Sequence, residues 1–224
     1  SLESLELSEG LISIEDSAFC GCSNLVSVKI PNSVETIGIA AFQGCEKVKS
    51  FVLPESLTSF GENAFSSCVA LETITIPETI TFIPSMAFWD CGLTDIDIPD
   101  TVTGIGSEVF GNCHSLEKIK LPSGLESIGD NVFFNCFSLR EISYDKNYSD
   151  WLAIEKGEPN DLLNSVMVNC MDRRIAQGTY GDLSWSVEDS VLTISGTGDM
   201  NDTDISTKTP WYLHNDEIKS LVIE

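Results

Sequence analysis

"AFQGC" occupies residues 41–45, "AFSSC" residues 64–68 and "AFWDC" residues 87–91. Cysteine in a recurring motif suggests a metal ligand, a disulfide or a nucleophile, but the interval between copies is more informative. Phe19, Phe42, Phe65, Phe88, Phe110 and Phe133 follow at steps of 23, 23, 23, 22 and 23. Three places on, Cys22, Cys45, Cys68, Cys91, Cys113 and Cys136 keep the same steps. The single short step is a one-residue deletion in "CGLTDI" (91–96), where the first unit reads "CSNLVSV" (22–28). A fixed period of this length predicts a solenoid with one supersecondary unit per coil.

Each unit repeats its apolar positions. "LVSVKIPNSVETIGIAAFQGC" (25–45) places Leu25, Val28, Ile30, Val34, Ile37, Ala41, Phe42 and Cys45 where "LEKIKLPSGLESIGDNVFFNC" (116–136) places Leu116, Ile119, Leu121, Leu125, Ile128, Val132, Phe133 and Cys136. Val28, Lys29 and Ile30 alternate as a strand with one buried face does. Pro31, Pro54, Pro77, Pro99 and Pro122 follow these strands and end them, because proline has no N–H for the ladder. A second short extended piece ("VETIG", 34–38) comes next. The Ala-Phe segment is expected to form one helical or 3₁₀ turn. Gly38, Gly61, Gly106 and Gly129 share one slot. Pro84 and Glu15 hold the same slot elsewhere, and proline cannot take positive φ, so tight clearance between coils explains the glycines better than a left-handed backbone.

On this reading phenylalanine and cysteine are rungs of internal ladders. The six ladder cysteines are expected to be free thiols acting as small buried hydrophobes. Strands ~4.8 Å apart bring neighbouring cysteines into range, but parallel inward side chains have poor disulfide torsions. No C-x-x-C pair exists and His114 and His214 are the only histidines, so no metal site is read.

The 224 residues carry 35 acidic against 12 basic side chains, a net charge of −23. Such a chain repels nucleic acid and anionic membrane. The apolar runs are too short to span a bilayer. No N-terminal signal peptide is seen, and the chain reads as a piece of a longer protein.

The unit L-x-x-[IV]-x-[IL]-P-x-[ST]-[VIL]-x-x-[IF]-G-x-x-[AV]-F-x-x-C resembles the BspA-like leucine-rich repeat, a group found largely in bacterial surface proteins. The match covers residues 2–144 in seven strand-bearing units. "YDKNYSDWLAIEKGEPNDLLNSVMVNC" (144–170) is similar to the segment that often closes such an array, with Trp151 and Ile154 plugging the last coil. "GTYGDLSWSVEDSVLTISGTGDM" (178–200) looks like the hairpin that often precedes a new array, with Trp185, Val187, Leu192 and Ile194 alternating. Ile218, Leu221 and Ile223 repeat the pattern of Leu25, Val28 and Ile30. The expected architecture is therefore an α/β repeat solenoid, β-rich with short helical turns. It divides into an array at 1–144, a capping segment at 145–172, a β-hairpin linker region at 173–213 and the start of a second array at 214–224. The resemblance implies a secreted or wall-attached protein that binds proteins of a host matrix or of other microbes, without catalysis and without a cofactor.

The outward strand positions follow from the alternation. They run from Glu3 to Ser143, three per unit, and these 21 positions hold seven acidic and five basic residues. This face is near −2 while the chain is −23. The candidate protein-binding residues on it are Lys29, Lys49, Val52, Thr73, Thr75, Asp95, Asp97, Lys118, Lys120, Arg140 and Glu141. Ordinary solvated strand surface is the plainer reading. Trp89, Phe134 and Phe137 fall at variable positions, either as ligand anchors or, as favoured here, covering the edge of a neighbouring coil. Asp95, Asp97 and Asp100 lie close in one coil. "DMNDTD" (199–204) faintly resembles a calcium loop but lacks its glycine and distal glutamate. Asn147-Tyr148-Ser149 and Asn201-Asp202-Thr203 match glycosylation sequons, which matter only in a eukaryotic source. No hydrolase elbow, zinc-protease motif or phosphate loop is present, and a Cys170–His214 nucleophile pair has nothing to orient the histidine.

The reading is an adhesion or recognition module, monomeric or weakly dimeric through the strand edge of its final coil. A second reading is a non-catalytic spacer or targeting domain of a larger secreted enzyme. Direct glycan binding would call for exposed aromatics clustered on one face, which the sequence does not display.

Overall fold

The computed structural model describes residues 2–180, 182–197 and 218–223. Each repeat folds into one coil with two very short strands. The first strand of each coil is β1 (Ser4–Glu6), β3 (Ser27–Lys29), β5 (Ser50–Val52), β7 (Thr73–Thr75), β9 (Asp95–Asp97), β11 (Lys118–Leu121) and β13 (Glu141–Tyr144). The second is β2 (Ser13–Ile14), β4 (Thr36–Ile37), β6 (Ser59–Phe60), β8 (Phe82–Ile83), β10 (Gly104–Ile105) and β12 (Ser127–Ile128). Strands pair in parallel with their counterparts one repeat away, as Ser4 with Ser27 and Ser13 with Thr36. The first strands end before each proline, as expected.

The second row breaks once, between β6 and β8. Pro84 explains the gap. In other coils its slot donates backward: Gly61 N to Ile37 O at 2.9 Å, Gly106 N to Ile83 O at 2.8 Å. Proline has no such donor. The glycines in this slot have φ outside the left-handed region, and a Cβ on Gly129 would lie 2.5 Å from Ser107 N. Clearance between coils is the reason for them.

The Ala-Phe segment differs from expectation. It is a run of turns, not a helical or 3₁₀ turn, so the coils hold no helix and the α component is minor. Residues two places after the glycine slot take the left-handed conformation, at Ala40, Asn63, Met86, Glu108 and Asn131. This turns alternate amides along the stack: Phe42 N donates to Ala64 O at 2.8 Å and Phe110 N to Val132 O at 2.9 Å, one coil away. The segment thereby becomes a third side of the coil with its own inter-coil ladder.

Inside, the phenylalanines stack. Rings of Phe19, Phe42, Phe65, Phe88, Phe110 and Phe133 follow at centroid distances of 5.4 to 5.9 Å and interplanar angles of 7° to 14°. All eight cysteines are free. From Cys45 onward, each ladder thiol donates to the carbonyl of the ladder phenylalanine one coil back, as Cys68 Sγ to Phe42 O at 3.3 Å, Cys91 Sγ to Phe65 O at 3.2 Å and Cys136 Sγ to Phe110 O at 2.9 Å. The serine two places after the proline works similarly, with Ser33 Oγ donating to Leu11 O and Ser56 Oγ to Val34 O, both at 2.7 Å.

Residues 145–170 build one enlarged coil. Glu141 pairs with Met167, 26 residues on, in β15 (Met167–Cys170), and Ser127 pairs with Glu155 in β14 (Glu155–Lys156). The extra length holds two short helices, α1 (Tyr148–Ala153) and α2 (Asp161–Ser165). Trp151 and Ile154 are buried at the end of the phenylalanine core, with Tyr144 meeting Trp151 edge-on at 5.8 Å. Asn131 N continues the inter-coil ladder to Pro159 O at 2.8 Å, and buried Asn160 bridges the turn that other coils close directly, as Ala64 N does to Gly61 O: Val132 N donates to its Oδ1, and its Nδ2 donates to Gly129 O.

Beyond β15 the sheet continues with antiparallel β16 (Arg174–Tyr180), β17 (Leu183–Glu188) and β18 (Val191–Gly196), three strands where a hairpin is expected. Here the apolar side of the sheet changes. Ile142, Val168 and Ile175 are in register on the solenoid-core side. The buried residues Ala176, Trp185, Val187, Leu192 and Ile194 lie on the opposite side, with Met167. β19 (Ser220–Ile223) pairs in parallel with β18, Leu192 opposite Leu221 and Ile194 opposite Ile223. The second run of the repeat pattern therefore turns its core positions to the side on which the first array displays its outward residues.

Candidate protein-binding face

The outward positions of the first strands (β1, β3, β5, β7, β9, β11 and β13) lie on three successive sheets, β1-β3, β5-β7 and the one that starts at β9, because alternation sends every second residue of each strand to solvent. Val52 is 74% exposed, and Thr73, Thr75, Asp95, Asp97, Lys118 and Arg140 are exposed beside it. Sheet register sets their neighbours: Val52 faces Thr75 on the next strand, Lys118 lies between Asp95 and Glu141, and Lys120 lies between Asp97 and Ser143.

The structure divides the five cations of this face. Lys29 pairs with Glu6 at 2.8 Å, Lys49 with Glu72 at 2.9 Å and Lys120 with Asp145 at 3.0 Å. The pairing raises the pKa of the Lys29 and Lys120 ammoniums and lowers that of the Glu6 carboxyl. Such exposed pairs add little stability. Lys118 and Arg140 have no ion pair among the described residues. Glu141 is drawn the other way, accepting from Asn169 Nδ2 at 3.3 Å and from Arg174 at 3.5 Å. Arg174 was not legible as part of this face, since it follows the array by a bend.

Thr73, Thr75, Asp95, Asp97 and Lys120 come together around a trough of about 420 Å³, which Asp100 and Glu78 also line. It lies where the ladder between β7 and β9 is interrupted, at the coil shortened by one residue. Lys29, Lys49 and Val52 lie in earlier coils, outside the trough, and Arg140 and Glu141 lie beyond it. Asp100 accepts from Ser123 N at 3.0 Å, which lowers its pKa. Among the described residues no cluster of acidic, histidine or cysteine side chains is arranged to hold a metal ion. Residues 199–204, the second sequon and His214 lie outside the described residues. Burial pushes the Cys170 thiol up to about 11, far from the range of a nucleophile at neutral pH.

The aromatic leads resolve onto one edge. Trp89 lies across Gly111, where a Cβ would fall inside the indole, and stacks on Phe134 two coils away at 6.3 Å. Trp89 thus covers its neighbouring coil. Phe137, 73% exposed, stacks on His114 at 5.6 Å. Among the described residues no helix is long and apolar enough to cross a membrane.

The profile of the BspA type leucine rich repeat region matches this sequence in six copies, over residues 1–110 and 81–151. The chain is similar to a leucine rich repeat protein of T. pallidum, with 31% identity and a TM-score of 0.61 over 70% of this chain and 73% of that one. It is also similar to a leucine rich cell surface protein of Faecalibacterium prausnitzii, with 24% identity and a TM-score of 0.48 over 69% of this chain and 62% of that one. A leucine-rich repeat protein of Bacteroides ovatus aligns over 99% of this chain and 61% of its own, at 19% identity and a TM-score of 0.48. No curated protein matches significantly. With more than half of its length matched by the family profile, and with the period, ladders and strand pairing described above, this chain belongs to the BspA-type leucine rich repeat family.

Proposed function

We propose that the chain is a recognition module working outside the cell, with a protein of a host matrix or of a microbial surface lying across its strand face. The observation that carries this reading is electrostatic. The 21 outward strand positions hold seven acidic and five basic residues, while the whole chain stands at −23. An acidic partner meets less long-range repulsion there than on the rest of the chain. Repeat solenoids offer an extended face of this kind, and contact spreads over several coils rather than one pocket. Membership of a repeat family found largely in surface proteins supports the extracellular placement.

The test is a binding screen of the chain against purified extracellular-matrix and microbial surface proteins at low and physiological salt. It is run beside a variant carrying Val52→Glu and Thr75→Glu, which are cross-strand neighbours on this face. Saturable binding that the variant loses supports the reading. Binding that the variant keeps, or no binding to any protein, opposes it.

A further inference from the structure

We propose that the cleft between the enlarged last coil and the three-stranded sheet binds an uncharged, polyhydroxylated ligand, a short neutral oligosaccharide. The cleft encloses about 600 Å³, within the usual range for small-ligand sites. It lies on the side of the sheet opposite the candidate protein-binding face, and is thus a separate site.

Its existence follows from the change of apolar side beyond β15. On the solenoid-core side, Ile175 is the last apolar residue of β16. From there the sheet shows Gln177, Ser186 and Thr193 in one cross-strand row and Thr179, Ser184 and Ser195 in the next. These six side chains are exposed or half-buried, and none has a side-chain hydrogen bond to another described residue. Across the gap the last coil presents half-buried Tyr148 and exposed Leu152, with the buried Trp151, Leu163 and Val166 beneath them. One wall is apolar and the other is a grid of hydroxyl and amide groups.

The chemistry of the walls selects the ligand by elimination. Among the described residues no carboxylate lines the cleft, in a chain of charge −23, so a cation finds no counter-charge on these walls. Among the described residues the one lining cation is Lys156, whose Nζ donates to Trp151 O and Ile154 O at 2.6 and 3.1 Å and sits 4.6 Å from the Trp151 ring centroid. An anion would have to compete with that arrangement. A peptide strand has no free backbone edge to join, because β16 and β17 are paired on both sides and β18 pairs with β17 and β19. What remains is recognition by neutral side-chain donors and acceptors on one side and apolar contact on the other. A sugar ring, with a rim of hydroxyls and apolar C–H faces, meets both walls.

Maltotriose, cellotriose and triacetylchitotriose are titrated into the chain, following tryptophan fluorescence and heat. The titration is repeated with a Ser186→Val/Thr193→Val variant and, as a folding control, with thermal unfolding of both proteins. A sialylated trisaccharide serves as the charged comparison. The expected result is saturable binding of at least one neutral sugar, weakened about tenfold or more in the variant at unchanged thermal midpoint, because a site that bonds hydroxyls rejects a ligand strongly once those partners are gone. Gln177→Ala is expected to act in the same direction, and serves in place of the valine pair should that pair lower the midpoint. No binding up to about 10 mM, where affinity is too weak to count as recognition, overturns the proposal. So does binding of the sialylated sugar alone, or binding that neither variant changes. The Val52→Glu/Thr75→Glu variant leaves sugar binding intact, so failure here and failure on the strand face are read separately.

Discussion

The thiol of Cys113 donates to the carbonyl oxygen of Phe88 at 3.1 Å, one coil back along the stack. Both residues are fully buried. The cysteine thus does two things: it fills the corner beside the phenylalanine ladder and it bonds a carbonyl that water cannot reach. Cys113→Val keeps the apolar volume but removes the donor. It is expected to cost about 1–3 kcal/mol, the usual penalty for a buried polar group left without its partner. Cys113→Ser keeps a donor and is expected to cost less. Urea unfolding of the two variants checks the order, and equal midpoints would show that the thiol only packs.

Thiol accessibility separates the ladder from its open end. Cys20 is exposed, whereas Cys45, Cys68, Cys91, Cys113, Cys136 and Cys170 are buried. A thiol reagent at pH 8 is expected to modify Cys20 rapidly in the native protein, and these six only after denaturant is added. Rapid native reaction of the six would contradict the stacked core.

Alkaline pH is expected to loosen the fold. Desolvation pushes Cys45 and Cys113 up to about 12 from an ordinary thiol value of 9.0, and raises Cys68, Cys91 and Cys136 as well. The folded thiols hold their protons more tightly than the unfolded ones. The stabilisation is therefore complete below 9.0 and is lost progressively as pH rises toward the folded values. Midpoints of urea unfolding should be level from pH 7 to pH 8 and fall between pH 9 and pH 10.5. A level profile across that range would contradict burial of the ladder thiols.

Gly129 sits against the backbone of the preceding coil, where a Cβ would lie 2.5 Å from Ser107 N and 2.6 Å from Gly106 C. Gly129→Ala forces two coils apart at backbone level, which a flexible side chain cannot absorb. The expected loss is about 1–3 kcal/mol, as for overpacking of a tight core. Because the stack is one-dimensional, it should appear as faster hydrogen exchange in the coils on either side of this interface. Unchanged stability would remove clearance as the reason for the glycine slot.

The period, the two strands per coil, the buried phenylalanine and cysteine columns and the clearance glycines were legible because each recurs in register. Three features were not. The Ala-Phe turn reads as helical by composition, yet Ala40, Met86 and Glu108 take left-handed φ, which their residue types give no reason to expect. The break at Pro84 concerns a single missing N–H, visible only once the bond from Gly106 to Ile83 shows what that slot does elsewhere. The cleft beneath Gln177, Ser186 and Thr193 depends on the sheet changing its apolar side at β15, a matter of register rather than residue type. On the candidate face, exposure followed from alternation. The pairing of Lys29, Lys49 and Lys120, which leaves Lys118 and Arg140 uncommitted, required the structure.

Protein recognition by this strand face is tested by reversing its two cations without an ion pair among the described residues. Lys118→Glu/Arg140→Glu is compared with Lys47→Glu/Lys146→Glu, which makes the same change in net charge off the strand positions. Affinity for a partner from the binding screen is measured by surface plasmon resonance at physiological salt. The face variant is expected to lose about tenfold or more in affinity while the control stays near wild type. Equal losses in both variants, or none in either, would contradict it.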